Sequence, residues 1–491
     1  MRTSQEYLAK LRTMRPNVYM GGGLVARDDP RIMPGVNVIG LTMDVAADPE
    51  YDGVVTATSH LSGQKINRFT HIHRSTEDLL MKQKMTRLLC QRTGGCIQRC
   101  MGVDALNAVS VVAHEIDQAS GTTHYYENFL KYLAYFQEND LVAACAQTDV
   151  KGDRSKRPFE QQDPDVYVHV VEKNADGIVV RGAKNHITIS PYADEIIAVP
   201  TRALTKDDAP WAVSFAVPAD HPNMHLVTRA TSPRPRNRLK APIAELGWSD
   251  SFVIFDNAFV PWERVFMCGE WQLGGRLASL FASYHRHSYC GCKPATTDII
   301  MGATALVADY NGVGSAPHIR EEIADLIAVA ELVYSAGVAA SVTGKPSSSG
   351  TYIPDIVYTN VGRYHAGINI YHEHETLAAI AGGLPATIPP EDDFYSAETG
   401  ALMNKYIMRK PGVSAENQHR IFRMISDMIA SAMGGCNQFA GIHGGGSPIM
   451  EKIAIRSQYD IESKKQLAKY LAGIVEDEAK PAEAAKVAAR R

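Results

Sequence analysis

The segment GGCIQRCMG places Cys96 and Cys100 four residues apart. On a helix that spacing turns both thiols to one face, within reach of a single metal centre. Standing alone, such a pair reads as readily as two buried small hydrophobes, because free cysteine packs well in cores. A second segment, YHRHSYCGCK, gathers His285, His287, Cys290 and Cys292 within eight residues, a density of soft ligands that packing does not explain. Thiolates in such numbers suit an iron-sulfur cluster, where imidazole can replace thiolate at one iron. Zinc held by three cysteines and a histidine is the chemical alternative, although structural zinc sites usually show two short CxxC-like pairs. Cys90, Cys145, Cys268 and Cys436 have no visible partner and read as core thiols.

Bringing such distant segments together needs a large scaffold, and 491 residues supply one, enough for two to four structural units. The composition, 45% hydrophobic and 21% charged, is that of a soluble protein, and the net charge of -4 lacks the footprint of a nucleic-acid binder. By eye no run reaches the roughly 20 apolar residues of a membrane helix, and the first residues lack a secretory h-region. A cytoplasmic protein without membrane or nucleic-acid partners is expected. Eight cysteines are too sparse for a disulfide scaffold.

The periodicity divides the chain into three. Ser75 and Asp78 form a capping-box pattern ahead of Met81, Met85, Leu88 and Leu89, and after Gly94 and Gly95 a second helical stretch is expected to start near Cys96. From about 160 to 270 the period is two: Val166, Val168 and Val170, an Asp176-Gly177 turn, then Ile178 and Val180. Helical spacing returns with Ile319, Ile323, Leu326, Ala330 and Val333. The boundaries expected are a helical unit over 1–145, a β unit over 146–275, a helical unit over 276–475 and a flexible tail over 476–491. This is an α+β class, without the strand-helix alternation of a doubly wound sheet. The glycines at 21–23 and 444–446 lack the context of a dinucleotide fingerprint.

From EYLAKLRTMRPNVY near the start to HGGGSP near the end, the chain resembles the 4-hydroxyphenylacetate hydroxylase-like flavoproteins, and most closely their 4-hydroxybutyryl-CoA dehydratase and vinylacetyl-CoA isomerase branch. The resemblance implies an acyl-CoA dehydrogenase-like fold, with an N-terminal helical domain, a middle β-barrel and a C-terminal helical bundle, assembled as a homotetramer. It implies FAD, and a 4Fe-4S cluster on Cys96, Cys100, His285 and Cys292. The segment AQTDVKGDR, with Gln147, Thr148, Lys151, Gly152, Asp153 and Arg154, matches a flavin-contacting loop; by composition alone it is an ordinary polar turn. His186 and Thr188 of RGAKNHIT match the same cofactor site, and Gly382 and Gly383 match a segment that meets the flavin of a neighbouring subunit.

The reaction implied is radical dehydration of a short-chain acyl-CoA thioester such as 4-hydroxybutyryl-CoA. His285, Tyr289, Lys293, Gln98, Arg87, Thr188 and Asp250 match its catalytic positions. Two departures stand out: Ala440 occupies the place of a glutamate three residues before His443, and Asp250 the place of another. His443, with Gly444 to Gly446 leaving room for a ligand, is a candidate to take over the missing role. Two other classes remain open: a two-component flavin monooxygenase acting on a phenol, and a non-catalytic paralogue.

Overall fold

Ser75 does cap its helix, its hydroxyl accepting from the Asp78 N–H at 3.1 Å, and the hydrophobic spacings become real elements along most of the chain. The computed structural model describes residues 1–474 except 232, 233 and 235; the expected tail at 476–491 lies outside the described residues. The N-terminal helices are α1 (Ser4–Thr13), α2 (Met33–Ala47), α3 (Thr76–Arg92), α4 (Cys100–Ser120) and α5 (Tyr125–Glu138). After the strands come α6 (Trp271–Tyr310), α7 (Pro317–Val342), α8 (Ile356–Ala381), α9 (Leu384–Thr387), α10 (Gly400–Ile407), α11 (Ala415–Ile429), α12 (Ala432–His443), α13 (Pro448–Gln458) and α14 (Ile461–Ala472). By length and composition α7 is apolar enough to cross a membrane, which the reading by eye missed; here it packs against α6 and α8.

The strands are β1 (Val18–Met20), β2 (Gly23–Val25), β3 (Thr56–Thr58), β4 (Lys65–Asn67), β5 (Ala143–Ala146), β6 (His169–Lys173), β7 (Gly177–Thr188), β8 (Glu195–Ala198), β9 (Val213–Pro218), β10 (Met224–Thr228), β11 (Asp250–Pro261) and β12 (Val265–Cys268). A six-stranded sheet runs β2-β1-β10-β11-β7-β6 and a four-stranded one β12-β9-β8-β5. The expected acyl-CoA dehydrogenase-like class with a closed middle β-barrel is corrected here. Both sheets are open, with edge strands β2 and β6 on one and β12 and β5 on the other. A barrel needs a ladder that returns to its first strand, whereas a bridge from Asp149 to Lys184 is the pairing found between these sheets among the described residues. The N-terminal strand β1 enters the larger sheet by parallel pairing with β10.

The main core joins α4 and α5 to the inner faces of both sheets, through residues such as Val109, Phe129, Ile196, Phe215 and Phe255. A second core lies among α6, α8 and α11. A third, smaller one packs Met85, Leu89, Cys90, Ile97, Cys100, Val103 and Ala295 together, with Cys292 against it. It makes an apolar bed for the cysteines.

Helix α6 carries Pro294 in its interior. Proline has no N–H to give the carbonyl four residues back, and that carbonyl, of Cys290, accepts instead from Gln83 Nε2 at 3.2 Å. The same amide nitrogen reaches Tyr334 O at 2.7 Å, so one buried glutamine fastens α3 to α6 and α7. Gly291 lets the helices approach, since a Cβ there would lie 2.6 Å from the Gln83 carbonyl oxygen.

Candidate active site

The two cysteine segments do meet, though not on the helical face their spacing implied. Gly94 at φ 71°, Gly95 at φ 150° and Gln98 at φ 64° break the chain between α3 and α4. Cys96 therefore sits in the connection, and Cys100 is the first residue of α4, where the helix dipole favours a thiolate. Cys292 comes from α6 and packs against the apolar cluster that holds Cys90 of α3, adding to the burial that raises the Cys90 thiol. Cys90, read from sequence as a partnerless core thiol, is thus a neighbour of the group.

The thiols are electrostatically unhappy with one another. Burial, then Cys292, pushes Cys96 up to about 12, and Asp250 pushes the same way. Burial raises Cys100 well above the usual thiol range, with Cys96, Asp104 and Cys292 adding to it and Lys82 opposing. Cys290 is pushed to about 12, by burial first and Cys292 second. The half-buried Cys96 and Cys292 and the buried Cys100 thus come to one region from two distant segments, and thiols crowded in this way are what a metal centre can hold as thiolates.

His285 completes the group. Its Nδ1 lies 3.0 Å from Asp104 Oδ2, and ligand atoms of Cys100, Asp104 and His285 lie within 4.8 Å of one another. Asp104 is fully buried and takes Lys82 Nζ at 2.5 Å and Ser288 Oγ at 3.1 Å. Burial alone would raise this carboxyl, but Lys82 and His285 hold it below the usual range. An ionised Asp104 accepts the Nδ1 proton of His285 and leaves Nε2 with its lone pair, the arrangement found behind metal-binding histidines. Neither Asp104 nor Lys82 stood out in the sequence; each looked like an ordinary charge on a helix face.

Around this centre the other candidates divide. Tyr289 stands edge-on to His285 at 5.4 Å, donates to the Ala440 carbonyl at 3.1 Å and lies under the Arg363 guanidinium at 4.5 Å. Thr188 and Asp250 face each other across the β7–β11 ladder, the Thr188 hydroxyl donating to Asp250 at 2.6 Å, and Arg229 pairs with the same carboxylate at 2.8 Å. His186, at φ 59°, is held down in pKa by burial first and then by the charges of Lys151 and His443, with Asp250 opposing.

Others are already committed. Gln98 is buried, giving its amide N–H to Gly247 O at 2.7 Å and accepting from the Tyr192 hydroxyl. Arg87 holds Asp298 at 2.9 Å and Glu331 at 2.7 Å, tying α3 to α6 and α7. Lys293 is sealed against Glu373 at 2.5 Å. The glycines after His443 do not leave room for a ligand: a Cβ on Gly444 would lie 1.9 Å from the Tyr289 hydroxyl, one on Gly445 3.3 Å from His285 and one on Gly446 2.6 Å from Arg286. Arg363 and Arg286 pin the run by its carbonyls, at 3.0 Å to Gly444 and 2.9 Å to Gly445.

The loop matched to a flavin is tied along its backbone, the Lys151 carbonyl accepting from the Tyr167 hydroxyl at 2.8 Å and the Asp153 N–H donating to Gln161 at 3.0 Å. The Gln147 carbonyl accepts from Lys184 at 2.8 Å, and the Thr148 carbonyl from the Asn185 N–H at 2.8 Å. Gly152 packs under Tyr167 and Gln161, Asp153 caps Ser155, and Lys151 and Arg154 are exposed. Burial first, then Arg154, lowers Lys151, so two cations crowd one edge. Gly382 and Gly383 close α8 at an open surface, where a Cβ on either would touch nothing within 4 Å.

Known proteins match the chain over nearly its whole length. Residues 3–267 match the 4-hydroxyphenylacetate 3-hydroxylase N-terminal family and residues 275–473 the C-terminal one. The chain is 40% identical, over 96% of its length and 99% of the relative's, to the 4-hydroxybutyryl-CoA dehydratase/vinylacetyl-CoA-Delta-isomerase of Clostridium aminobutyricum. It superposes with a TM-score of 0.93 and 37% identity on an oxygen-tolerant archaeal 4-hydroxybutyryl-CoA dehydratase from N. maritimus, covering 98% of this chain and 96% of that one. For the oxygenase component of 4-hydroxyphenylacetate 3-monooxygenase complexed with FAD the TM-score is 0.84 at 26% identity, covering 96% of this chain and 98% of that one. The fold is therefore that of these proteins, in place of the acyl-CoA dehydrogenase-like barrel arrangement expected from sequence. From its first helix to its last described one, the chain belongs to the 4-hydroxyphenylacetate 3-hydroxylase family, and its dehydratase relatives are nearer in sequence than the monooxygenase compared here.

Proposed function

We propose that the protein is a flavin- and 4Fe-4S-dependent dehydratase and vinylacetyl isomerase, acting on 4-hydroxybutyryl-CoA or a close short-chain acyl-CoA. The observation that carries the reading is Cys100 grouped with His285, whose Nδ1 is taken by Asp104, and with Cys96 and Cys292 brought to the same region. Three thiols and a free imidazole nitrogen fit the donor set of such a cluster. The 26%-identical oxygenase was solved with FAD, and the crowded Lys151 and Arg154 here fit a flavin's phosphates. The open edge at Gly382 and Gly383 fits a homotetramer in which a neighbouring subunit's cofactor is met there.

When bound, the cluster supplies a Lewis-acidic iron for a departing hydroxyl and the flavin supplies one-electron chemistry. The chain's own groups handle protons and position. Asp104 fixes the His285 ring at Nδ1, so its Nε2 lone pair would either hold iron or, released from it, take a proton. Tyr289 borders the same space, its hydroxyl oriented by the Ala440 carbonyl. Thr188 and Asp250 form a hydrogen-bonded pair on the sheet side, with Arg229 paired to Asp250 at 2.8 Å. Lys293, neutralised by Glu373, and Gln98 and Arg87, spent on protein partners, hold the walls. The apolar bed around the cysteines keeps water from the substrate.

The test is anaerobic purification, with iron, sulfide and flavin quantified and 4-hydroxybutyryl-CoA added. About four iron per chain with conversion to crotonyl-CoA supports the reading. Cofactors without conversion move it to another acyl-CoA. Flavin without iron sinks the cluster and promotes the phenol monooxygenase.

A further inference from the structure

The segment from 229 to 240, between β10 and β11, carries Arg229, Arg234, Arg236, Arg238 and Lys240 and no carboxylate, in a protein whose net charge is -4. Arg229 is spent on Asp250, and Arg238 lies out in solvent near Asp392. The two between them turn inward onto α11. Arg234 and Arg236 share one carboxylate, that of Asp427. Beside them Arg423 has no carboxylate at all: its guanidinium meets the Pro389 carbonyl and, at 3.1 Å, His419. Glu391, the next acid, uses its oxygens on the N–H groups of Asn237, Arg238 and Leu239. Three guanidiniums thus share the Asp427 carboxylate, with Glu391 acting on Arg236 and Arg423 from beside them.

The Arg236 side chain is only 6% exposed and its Nη1 has no partner. A buried guanidinium nitrogen without an acceptor is costly, and three guanidiniums against the carboxylates of Asp427 and Glu391 leave a positive excess that an anion would balance. Burial and mutual repulsion with Arg236 and Arg234 also lower Arg423.

What lies behind the cluster gives the anion an identity. Arg234 and Asp427 line a cavity that Met433, Trp248, Thr296 and Cys96 also line. One space therefore has a guanidinium of the cluster, apolar wall and a thiol of the candidate site around it. We propose that Arg234, Arg236 and Arg423 form the subsite for the phosphates of a coenzyme A thioester, whose pantetheine arm runs down this cavity toward Cys96. The proposal rests on the acyl-CoA reading above. The phosphate chemistry has a second source, the diphosphate of FAD, and the experiment separates the two.

Calorimetric titration of the anaerobic holoenzyme with coenzyme A and with pantetheine, each at low and high salt, is run on the wild type and on Arg234→Gln, Arg423→Gln and Arg238→Gln, with bound flavin measured in each. Arg234→Gln and Arg423→Gln are expected to weaken coenzyme A about tenfold, the equivalent of ~1.4 kcal/mol, to flatten its salt dependence and to leave pantetheine and flavin content unchanged. Arg238→Gln, on the same loop but outside the cluster, stays within about twofold. Arg234→Lys, which keeps the charge, recovers most of the affinity and shows that the loss is not one of folding.

Wild-type affinity for coenzyme A in both glutamine variants overturns the subsite, as does lost flavin with coenzyme A binding intact, which assigns the arginines to the flavin diphosphate. If the wild type converts 4-hydroxybutyryl-CoA while the variants bind like it, the subsite alone falls. If the wild type binds no coenzyme A, the acyl-CoA reading falls with it.

Discussion

Replacing Asp104 by asparagine tests the electrostatic core of the site. Lys82 and Asp104 are 1% and 0% exposed and 2.5 Å apart. Asparagine leaves the ammonium of Lys82 buried without a counter-charge, with the neutral amide oxygen and the Tyr284 carbonyl, at 2.8 Å, as its acceptors. Breaking one side of a buried pair costs about 3–5 kcal/mol, which in a chain of this length lowers Tm by roughly 3–5 °C. The loss is read as a shift in denaturant midpoint with unchanged slope. Removing the stranded charge as well, in Lys82→Met/Asp104→Asn, restores most of it, because an apolar replacement of a whole buried pair is often neutral. The single variant also loses the charged anchor on His285 Nδ1, and its loaded form is expected to surrender iron to a chelator with about tenfold to hundredfold weaker affinity. A single variant within about 1 kcal/mol of wild type, or a double variant no better than the single, would refute the reasoning.

His374 lines the cavity wall, and burial, with Lys293 adding to it, lowers its pKa to about 4. The unfolded chain takes up a proton near pH 6.5 that the native state refuses, so stability falls as pH drops from 6.5 toward 4, by roughly 2 kcal/mol at pH 5. Urea midpoints at pH 7 and 5 should differ less in His374→Gln than in wild type, and equal differences would count against the assignment. Gly444→Ala forces the Tyr289 hydroxyl off the Ala440 carbonyl and is expected to cost about 1–3 kcal/mol; unchanged stability and activity would show that the loop yields freely. Gln83→Leu strands the Cys290 carbonyl that Pro294 leaves open, a loss of roughly 1–3 kcal/mol in chemical denaturation, and a neutral result would mean that water serves instead.

Local spacing told most about elements and least about partners. The alternation around Val168 to Val180 foretold the β6–β7 hairpin, and Leu326, Ala330 and Val333 are buried along α7 as their period requires. Strand period says nothing of which edges meet, so the open sheets and the entry of β1 beside β10 were not legible. The cysteine segments pointed to a common centre, yet the backbone break at Gly94, Gly95 and Gln98 that orients Cys96 depends on tertiary context. Lys82 and Asp104 were invisible because a charge on an amphipathic helix is normally solvated; only the packing of α3 and α4 on α6 buries both. The glycines after His443 were read as room for a ligand, when the side chains of Tyr289, His285 and Arg286 already use that room.

Helix α6 presents His285, Tyr289 and Cys292 without any turn or loop between them. At about 100° per residue these three fall within a wedge of roughly 60°. One residue inserted or deleted between 285 and 292 swings everything beyond it by about 100° and shifts it by about 1.5 Å, while Gln83 still clamps the helix at Cys290. A point substitution can cost the site one group; a single-codon change of length here would scatter all of them, so this stretch should tolerate changes of letter far better than changes of count.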